Sequence, residues 1–172
     1  MALHKTVIAL WILSVLLFLT GCAPNKIYRS AYQACEVTVA QDCQENSLQI
    51  YKAGTDNSYS LGFVEIDDQG QLRDRKQMQA LLDAIYKTAA NNSVLINVFV
   101  HGWHHNAAPG DPNIDSFNAS LAKLSQMENE LSKLKNRPPR KVIGVYIGWR
   151  GDSITIPVIN GLSDLFHPCQ TL

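Results

Sequence analysis

Residues 93–106 read Ser-Val-Leu-Ile-Asn-Val-Phe-Val-His-Gly-Trp-His-His-Asn, and the prediction of the fold starts from this stretch. It opens with an apolar run, residues 94–100, that is broken only by Asn97. Runs of this length that are rich in Val, Ile and Phe are typical of strands buried on both faces of a parallel sheet. The glycine at position 102 allows a sharp turn, and ligands of open α/β sheets bind at such strand ends. A binding or catalytic site is therefore expected at this turn.

Two further segments on either side predict strands. Residues 59–66 alternate partly between apolar and polar side chains, and residues 141–151 form a buried strand that ends in a Gly-rich turn. Helical periodicity separates the three strands. The alternation of strand and helix predicts an α/β fold with a parallel sheet and right-handed crossovers.

The two predicted helices each carry an apolar stripe at spacings of three and four. The first helix starts at about Asp74, where Asp74 and Gln77 resemble a capping box. Its stripe comprises Met78, Leu81, Leu82, Ile85 and Ala89. The second helix ends before two prolines, and its stripe comprises Phe117, Leu121, Leu124, Met127, Leu131 and Leu134.

Composition limits the class of protein. The chain has 172 residues, of which 46% are hydrophobic, and its 15 basic and 15 acidic side chains give zero formal net charge. This fits a globular domain with a modest core and excludes a disordered chain. Zero net charge offers no electrostatic footprint for a polyanion, so no nucleic-acid partner is expected.

The N-terminus has the features of a secretion signal. Residues 4–5 supply a short basic region, and the apolar run of residues 7–19 is too short to span a bilayer, which takes about 20 residues. The run ends in Leu-Thr-Gly-Cys at residues 19–22, which resembles the lipobox of bacterial lipoproteins. We therefore expect residues 1–21 to be a signal peptide and Cys22 to carry acyl chains such as palmitate.

An acylated Cys22 makes membrane lipid the expected partner, because each buried CH₂ of the chains contributes about 0.8 kcal/mol. Ala23 follows the cysteine at the position where Asp signals retention in the inner membrane of Gram-negative bacteria. The expected location is therefore the bacterial cell envelope, at the outer membrane.

Export places the remaining cysteines in an oxidising compartment. Cys35 and Cys43 are close in the sequence and can close a small loop, whereas the alternative pairs one of them with Cys169. Either arrangement leaves one thiol over, and nothing marks it as a nucleophile. Residues 22–57 are expected to form a tether followed by a surface segment that the disulfide pins.

Three blocks of sequence resemble an uncharacterised group of bacterial esterase/lipase-like α/β hydrolases. They are Phe-Val-Glu-Ile-Asp-Asp-Gln-Gly at residues 63–70, Val-Phe-Val-His-Gly-Trp at 98–103 and Gly-Val-Tyr-Ile-Gly-Trp-Arg-Gly at 144–151. The resemblance implies a partial α/β-hydrolase-type parallel sheet with flanking helices over residues 58–172. It also implies descent from serine ester hydrolases, with a small ester as the possible substrate and no cofactor.

The resemblance further implies a site at the end of the strand predicted over residues 94–100. The backbone N–H of Trp103 would be one oxyanion donor, and His101 and Gly102 would shape the turn. A preorganised N–H aimed at the developing negative charge contributes about 2.7–4 kcal/mol. The alternative is a plain strand-to-loop turn. No metal site is expected at His101, His104 and His105, because adjacent side chains point apart.

The sequence departs from these hydrolases in one respect. It contains no G-x-S-x-G nucleophile elbow, since residues 151–155 and 161–165 both lack the closing glycine. Without the serine there is no covalent step. We expect the chain to be truncated before the elbow and inactive alone, whether as a truncated product, a frameshifted copy or a fragment. The other hypothesis is a non-catalytic envelope lipoprotein that acts as a binding or structural module.

A partial sheet also leaves an edge without a neighbour. We expect this edge at the last strand, residues 141–151, and poor solubility or marginal stability as its consequence.

The lipobox gives the first testable prediction. Cys22→Ser removes the only thiol that the lipidation chemistry can use. Incorporation of an alkyne-tagged palmitate is therefore lost completely, and the mature chain is no longer recovered in the membrane fraction. Cys169→Ser is the matched control and keeps both properties. Label retained by the Cys22→Ser chain would contradict the prediction.

Overall fold

The computed structural model describes residues 26–52, 58–67, 69–103 and 105–149. The signal peptide, Cys22, His104, Cys169 and both Gly-x-Ser segments lie outside these residues. Along the described chain the elements are β1 (Ala31–Val37), β2 (Asn46–Tyr51), β3 (Tyr59–Glu65), α1 (Arg75–Ala89), β4 (Val94–Val100), α2 (Pro112–Leu134) and β5 (Lys141–Gly148). Neither α1 nor α2 combines the length and the apolar character that crossing a membrane requires.

The strands form a sheet in the order β1-β2-β3-β5-β4. β3, β5 and β4 are mutually parallel, β2 is antiparallel to β3, and β1 is parallel to β2. β5 therefore lies between β3 and β4, because α1 carries the chain past its position and α2 brings the chain back. This confirms the α/β class, and the sheet is mostly parallel rather than wholly parallel as predicted, because β2 is antiparallel to β3.

β4, the strand expected to be buried on both faces, lies at one edge of the sheet. Among the described residues its only partner strand is β5. Its side chains alternate, and Ile96, Val98 and Val100 are 43%, 59% and 59% exposed. The prediction of a strand buried on both faces was therefore wrong. An apolar run predicts a strand but not its position in the sheet. The crossover through α2 places β5, and not β4, between two neighbouring strands.

The strand with buried faces on both sides is β5, whose residues 142–146 are all buried. Among the described residues the edge strands are therefore β1 and β4, and not, as expected, the last strand. Chain order does not fix strand order, because the second crossover inserts β5 between two strands that were already in place.

The two helices pack on opposite faces of the sheet, and each lies over a glycine. A Cβ at Gly62 would come within 2.4 Å of Leu81 Cδ1 of α1, and a Cβ at Gly144 within 2.3 Å of Leu121 Cδ1 of α2. Leu81 belongs to a core with Val64, Ile143 and Val145. The larger core on the other face comprises Tyr59, Leu61, Phe63, Ala107, Ile114, Phe117, Leu121, Val142 and Tyr146.

The helix starts follow the sequence closely. α1 is capped by Asp74, whose side chain accepts a hydrogen bond from the Lys76 N–H, and α2 is capped by Asp111, which accepts from the Asn113 N–H. Pro112 follows Asp111 at the first helical position, where its missing N–H costs nothing.

The apolar stripe predicted for α2 holds only in its first half. Phe117 and Leu121 are buried, but Met127, Leu131 and Leu134 are 54%, 38% and 82% exposed. The inward positions beyond Leu121 are Ser125, Glu128 and Ser132. Ser125 donates to the Ser58 carbonyl and Glu128 accepts from Arg137 and Arg140, whereas Ser132 donates to the Asn129 carbonyl of the same helix. Hydrophobic spacing alone therefore selected the wrong face.

Glu128 joins the end of α2 to the start of β5. Its side chain is 2% exposed, and its carboxylate accepts hydrogen bonds from Arg137 Nη1 at 2.6 Å, Arg140 Nη2 at 2.7 Å and the Arg140 N–H at 3.0 Å. Side-chain hydrogen bonds from Arg140 and Arg137 hold the pKa of Glu128 well below its usual range.

The N-terminal segment is more than a tether. The sequence places a surface segment within residues 22–57, whereas the described part of it supplies β1 and β2 to the main sheet. Cys35, on β1, forms a disulfide with Cys43, just before β2. This is the local pairing and not the alternative with Cys169.

Glu128 gives a prediction about stability. Glu128→Gln removes the negative charge that faces two guanidinium groups, so at pH 7 the free energy of unfolding falls by about 1–3 kcal/mol. A lowered pKa stabilises the fold above the ordinary glutamate pKa and less as pH falls below it. The difference between wild type and Glu128→Gln should therefore shrink from pH 7 to pH 3.

Urea unfolding followed by circular dichroism measures both values. Glu130→Gln, an exposed substitution on the same helix, is the control and changes stability by less than about 0.5 kcal/mol. A difference that stayed constant over this pH range would exclude the charge as its cause.

Candidate functional site

The candidate site lies at the carboxyl edge of the sheet. β3, β5 and β4 run parallel, with Glu65 paired to Gly148 and Val100 to Ile147. Their carboxyl ends therefore meet at one edge, and this brings Glu65, His101 and Trp149 together. In open α/β sheets this edge is where ligands bind.

His101 clamps the end of β4 to the end of β5. Its side chain is buried, and Nε2 accepts the Trp149 N–H at 2.8 Å. Nε2 is therefore unprotonated, so Nδ1 carries the proton and donates to the Gly102 carbonyl at 2.8 Å. The Trp149 indole N–H donates in turn to the His101 carbonyl at 2.9 Å, and the two rings stack with centroids 5.4 Å apart.

These contacts define what His101 does. Both ring nitrogens are engaged within the protein, so the side chain fixes the main chain at the strand end and does not act as a general base. The role in shaping an oxyanion turn, which the sequence resemblance implies for His101, stays a prediction.

Gly102 and Trp103 follow His101 in the chain, and both are exposed to solvent. Gly102 is exposed, its φ is not positive, and a Cβ there would meet none of the described residues within 4 Å. Trp103 is 58% exposed. The described fold therefore does not itself require glycine at position 102, and the missing side chain leaves the main chain open to approach from outside. The orientation of the Trp103 N–H, the expected oxyanion donor, stays a prediction.

A second histidine at this edge is oriented by a carboxylate. His105 Nδ1 lies 3.1 Å from Asp111 Oδ1, and the two side chains are 29% and 7% exposed. Asp111 also accepts the Asn106 N–H at 2.9 Å and caps α2. An aspartate that holds Nδ1 leaves Nε2 as the position for contact with a ligand. The sequence pattern did not predict this pair, although Asp111 before Pro112 marks a helix cap.

Glu65 is the buried carboxylate of the edge. It accepts the Tyr28 N–H at 3.0 Å, the Arg29 N–H at 2.9 Å and Gln77 Nε2 at 2.9 Å. The Gln77 side-chain oxygen accepts the Glu65 N–H at 2.9 Å. Because its oxygens accept from protein donors, Glu65 serves to fix the N-terminal segment to β3.

Arg29 extends this attachment to the loop before α2. Its side chain is buried, its Nε donates to the Ala107 carbonyl at 2.8 Å, and its guanidinium lies 4.1 Å from the centroid of the Phe63 ring. Burial lowers the pKa of Arg29, and the nearby Glu65 charge acts in the opposite direction.

Tyr146 supports the same loop from below. It is fully buried on β5, and its hydroxyl donates to the Asn106 carbonyl at 3.1 Å. Burial raises the pKa of Tyr146, so the hydroxyl stays neutral and keeps its proton for this hydrogen bond. The loop that carries His105 is therefore fixed from the sheet as well as by Asp111.

The part of the chain that the structure describes contains no candidate metal site. There, three or more His, Cys, Asp or Glu side chains nowhere converge as metal ligands.

Comparison of the chain with protein-family models, with curated proteins and with solved structures found no match. The fold and the edge define an α/β protein with a mostly parallel sheet. The resemblance to α/β hydrolases rests on the three sequence blocks alone.

Two glycines at this edge give a prediction. Gly102→Ala leaves the free energy of unfolding within about 0.5 kcal/mol of wild type, because the added Cβ points into space that no described residue occupies. Gly148→Ala lowers it by about 1–3 kcal/mol, since a Cβ there would lie 2.7 Å from the Ala107 Cβ. Urea unfolding of the chain from residue 23 compares the two. Equal losses would show that position 102 also requires glycine.

Proposed function

We propose that this protein is a membrane-anchored lipoprotein built on the N-terminal sheet of an α/β hydrolase of the serine esterase or lipase type. Acylated Cys22 holds it at the outer membrane of the bacterial envelope. The observation that carries the proposal is the carboxyl edge, where the His101 clamp fixes the main chain immediately before Gly102 and Trp103.

The clamp supports an oxyanion role for the turn. A backbone donor contributes to catalysis only if it is already fixed where charge develops. The hydrogen bond between the Trp149 N–H and His101 Nε2, together with the ring stacking, holds this turn against β5. Trp103, the proposed donor, comes two residues after the clamp, on the exposed side of the edge.

The proposal assigns no turnover to this chain alone. Ester cleavage by serine acylation needs a nucleophile, a histidine base and an orienting acid in addition to the oxyanion donors. The sequence holds no G-x-S-x-G elbow. The hydrogen bond between Asp111 and His105 resembles that between the acid and the base of such a triad. Among the described residues, no serine is hydrogen-bonded to His105.

A second function, a non-catalytic binding or structural module of the envelope, is favoured by a different observation. The buried polar side chains of the edge, Glu65 and His101, are engaged in holding the fold together. The exposed apolar face of β4 is surface of the kind that interaction sites use.

The test combines catalysis with binding. The purified lipoprotein should hydrolyse p-nitrophenyl acetate no faster than buffer and should take no label from a fluorophosphonate. In ¹⁵N spectra, butyrate, the carboxylate product of a small ester, should shift the amide resonances of Gly102 and Trp103. Butyramide, its neutral counterpart, should shift them less, because a charged acceptor binds an N–H more strongly.

Each outcome has a reading. Labelling of a serine would overturn the proposal that the chain is inactive alone. Equal shifts with butyrate and butyramide, or none, would overturn the oxyanion role and favour the binding module.

A further inference from the structure

We infer that the carboxyl edge of the sheet faces the membrane and that Trp103 and Val100 enter the interface of a phospholipid bilayer. This inference rests on the proposed lipid anchor and goes beyond it, because an anchor alone does not orient the domain. It follows from where the tether joins the fold and from which side chains that edge exposes.

The tether is short. Cys22 precedes Lys26, the first described residue, by four positions. Since each residue spans at most about 3.6 Å, the anchored residue lies within about 14 Å of Lys26. This is less than the length of β4, which at about 3.3 Å per residue is roughly 23 Å. The membrane surface is therefore close to whichever part of the domain holds Lys26.

That part is the carboxyl edge. Two residues after Lys26, the Tyr28 N–H binds the Glu65 carboxylate at 3.0 Å, and the Arg29 N–H binds it at 2.9 Å. Gln77 Nε2 donates to the Arg29 carbonyl at 2.8 Å. Glu65 and Arg29 are 3% and 2% exposed, so this attachment is buried. The tether therefore meets the domain at a fixed point at the carboxyl end of β3.

The side chains at the β4 end of this edge suit a lipid surface. Val100 is 59% exposed and Trp103 is 58% exposed. Tryptophan favours the boundary between acyl chains and headgroups because its ring is apolar and its N–H is polar. The exposed acids Asp42 and Glu45 precede β2, away from β4 in the sheet order, whereas the exposed Asp115 lies in the first turn of α2.

Two other exposed apolar side chains, Val39 and Leu134, do not compete for this role. Val39 follows the end of β1, and Leu134 ends α2. Because β1 and α2 both begin at the carboxyl edge and run away from it, these two residues lie at the opposite edge. The tether would hold them away from the bilayer.

The experiment uses the two tryptophans that follow the proposed cleavage site, Trp103 and Trp149. The acylated protein is reconstituted in phosphatidylcholine vesicles with brominated or ordinary acyl chains. Trp149→Phe leaves Trp103 as the only emitter, and Trp103→Phe leaves Trp149. In brominated vesicles the Trp103 emission should fall roughly twofold, because an interfacial ring lies within about 5–10 Å of the acyl boundary. Trp149, which stacks on His101, should lose far less.

A lengthened tether provides the second variant. Insertion of twenty Gly and Ser residues after Ala23 in the Trp149→Phe protein relaxes the constraint, and Trp103 quenching should decrease. A quenching that the insertion does not change would overturn the role of the tether. Equal quenching of Trp103 and Trp149 in the fully acylated protein would overturn the orientation.

The acyl content of each sample is measured separately by mass spectrometry. A chain that carries no acyl group contradicts the proposed lipoprotein. A fully acylated chain without preferential Trp103 quenching contradicts only the orientation, so the two failures are distinguishable. Circular dichroism of each variant shows that the fold is retained.

Discussion

The buried carboxylate of Glu65 accepts the hydrogen bonds that connect three separate segments of the domain. A carboxylate taken out of water is strongly destabilising unless hydrogen bonds replace its hydration. Here the N–H groups of Tyr28 and Arg29 and the side chain of Gln77 supply them. One side chain therefore joins the N-terminal segment, β3 and α1, and it fixes the point at which the proposed tether enters the domain.

The polar groups of the carboxyl edge work mainly as a frame. His101 joins β4 to β5, Tyr146 holds the loop at Asn106, and Asp111 both caps α2 and orients His105. A frame of this kind fixes the main chain, which is what backbone recognition of an anion requires. Further out, His105 is held by Asp111 through Nδ1, and this is consistent with a site completed by another component.

The position of β4 at the edge of the sheet explains why part of the protein surface is apolar. Edge strands are commonly protected by lysine, proline or a bulge, and residues 94–100 contain neither lysine nor proline and pair in unbroken register with β5. One face of this strand packs under α2 through Phe99, which stacks on Phe117. α1 does not cover the other face at Ile96 and Val98, so apolar surface remains in contact with water.

The sequence by itself determined the α/β class, the extent of most helices and strands and the location of the turn at residues 101–103. These features depend on local periodicity, on caps such as Asp74 and Asp111 and on glycines, all of which act over a few residues. It did not determine that β4 is an edge strand, that Glu128 and not Leu131 faces inward, or that residues 31–51 join the sheet. Only the tertiary structure decided these, because strand order, the pairing of His105 with Asp111 and the burial of Glu65 depend on contacts between segments distant in the chain or on how loops return to the sheet.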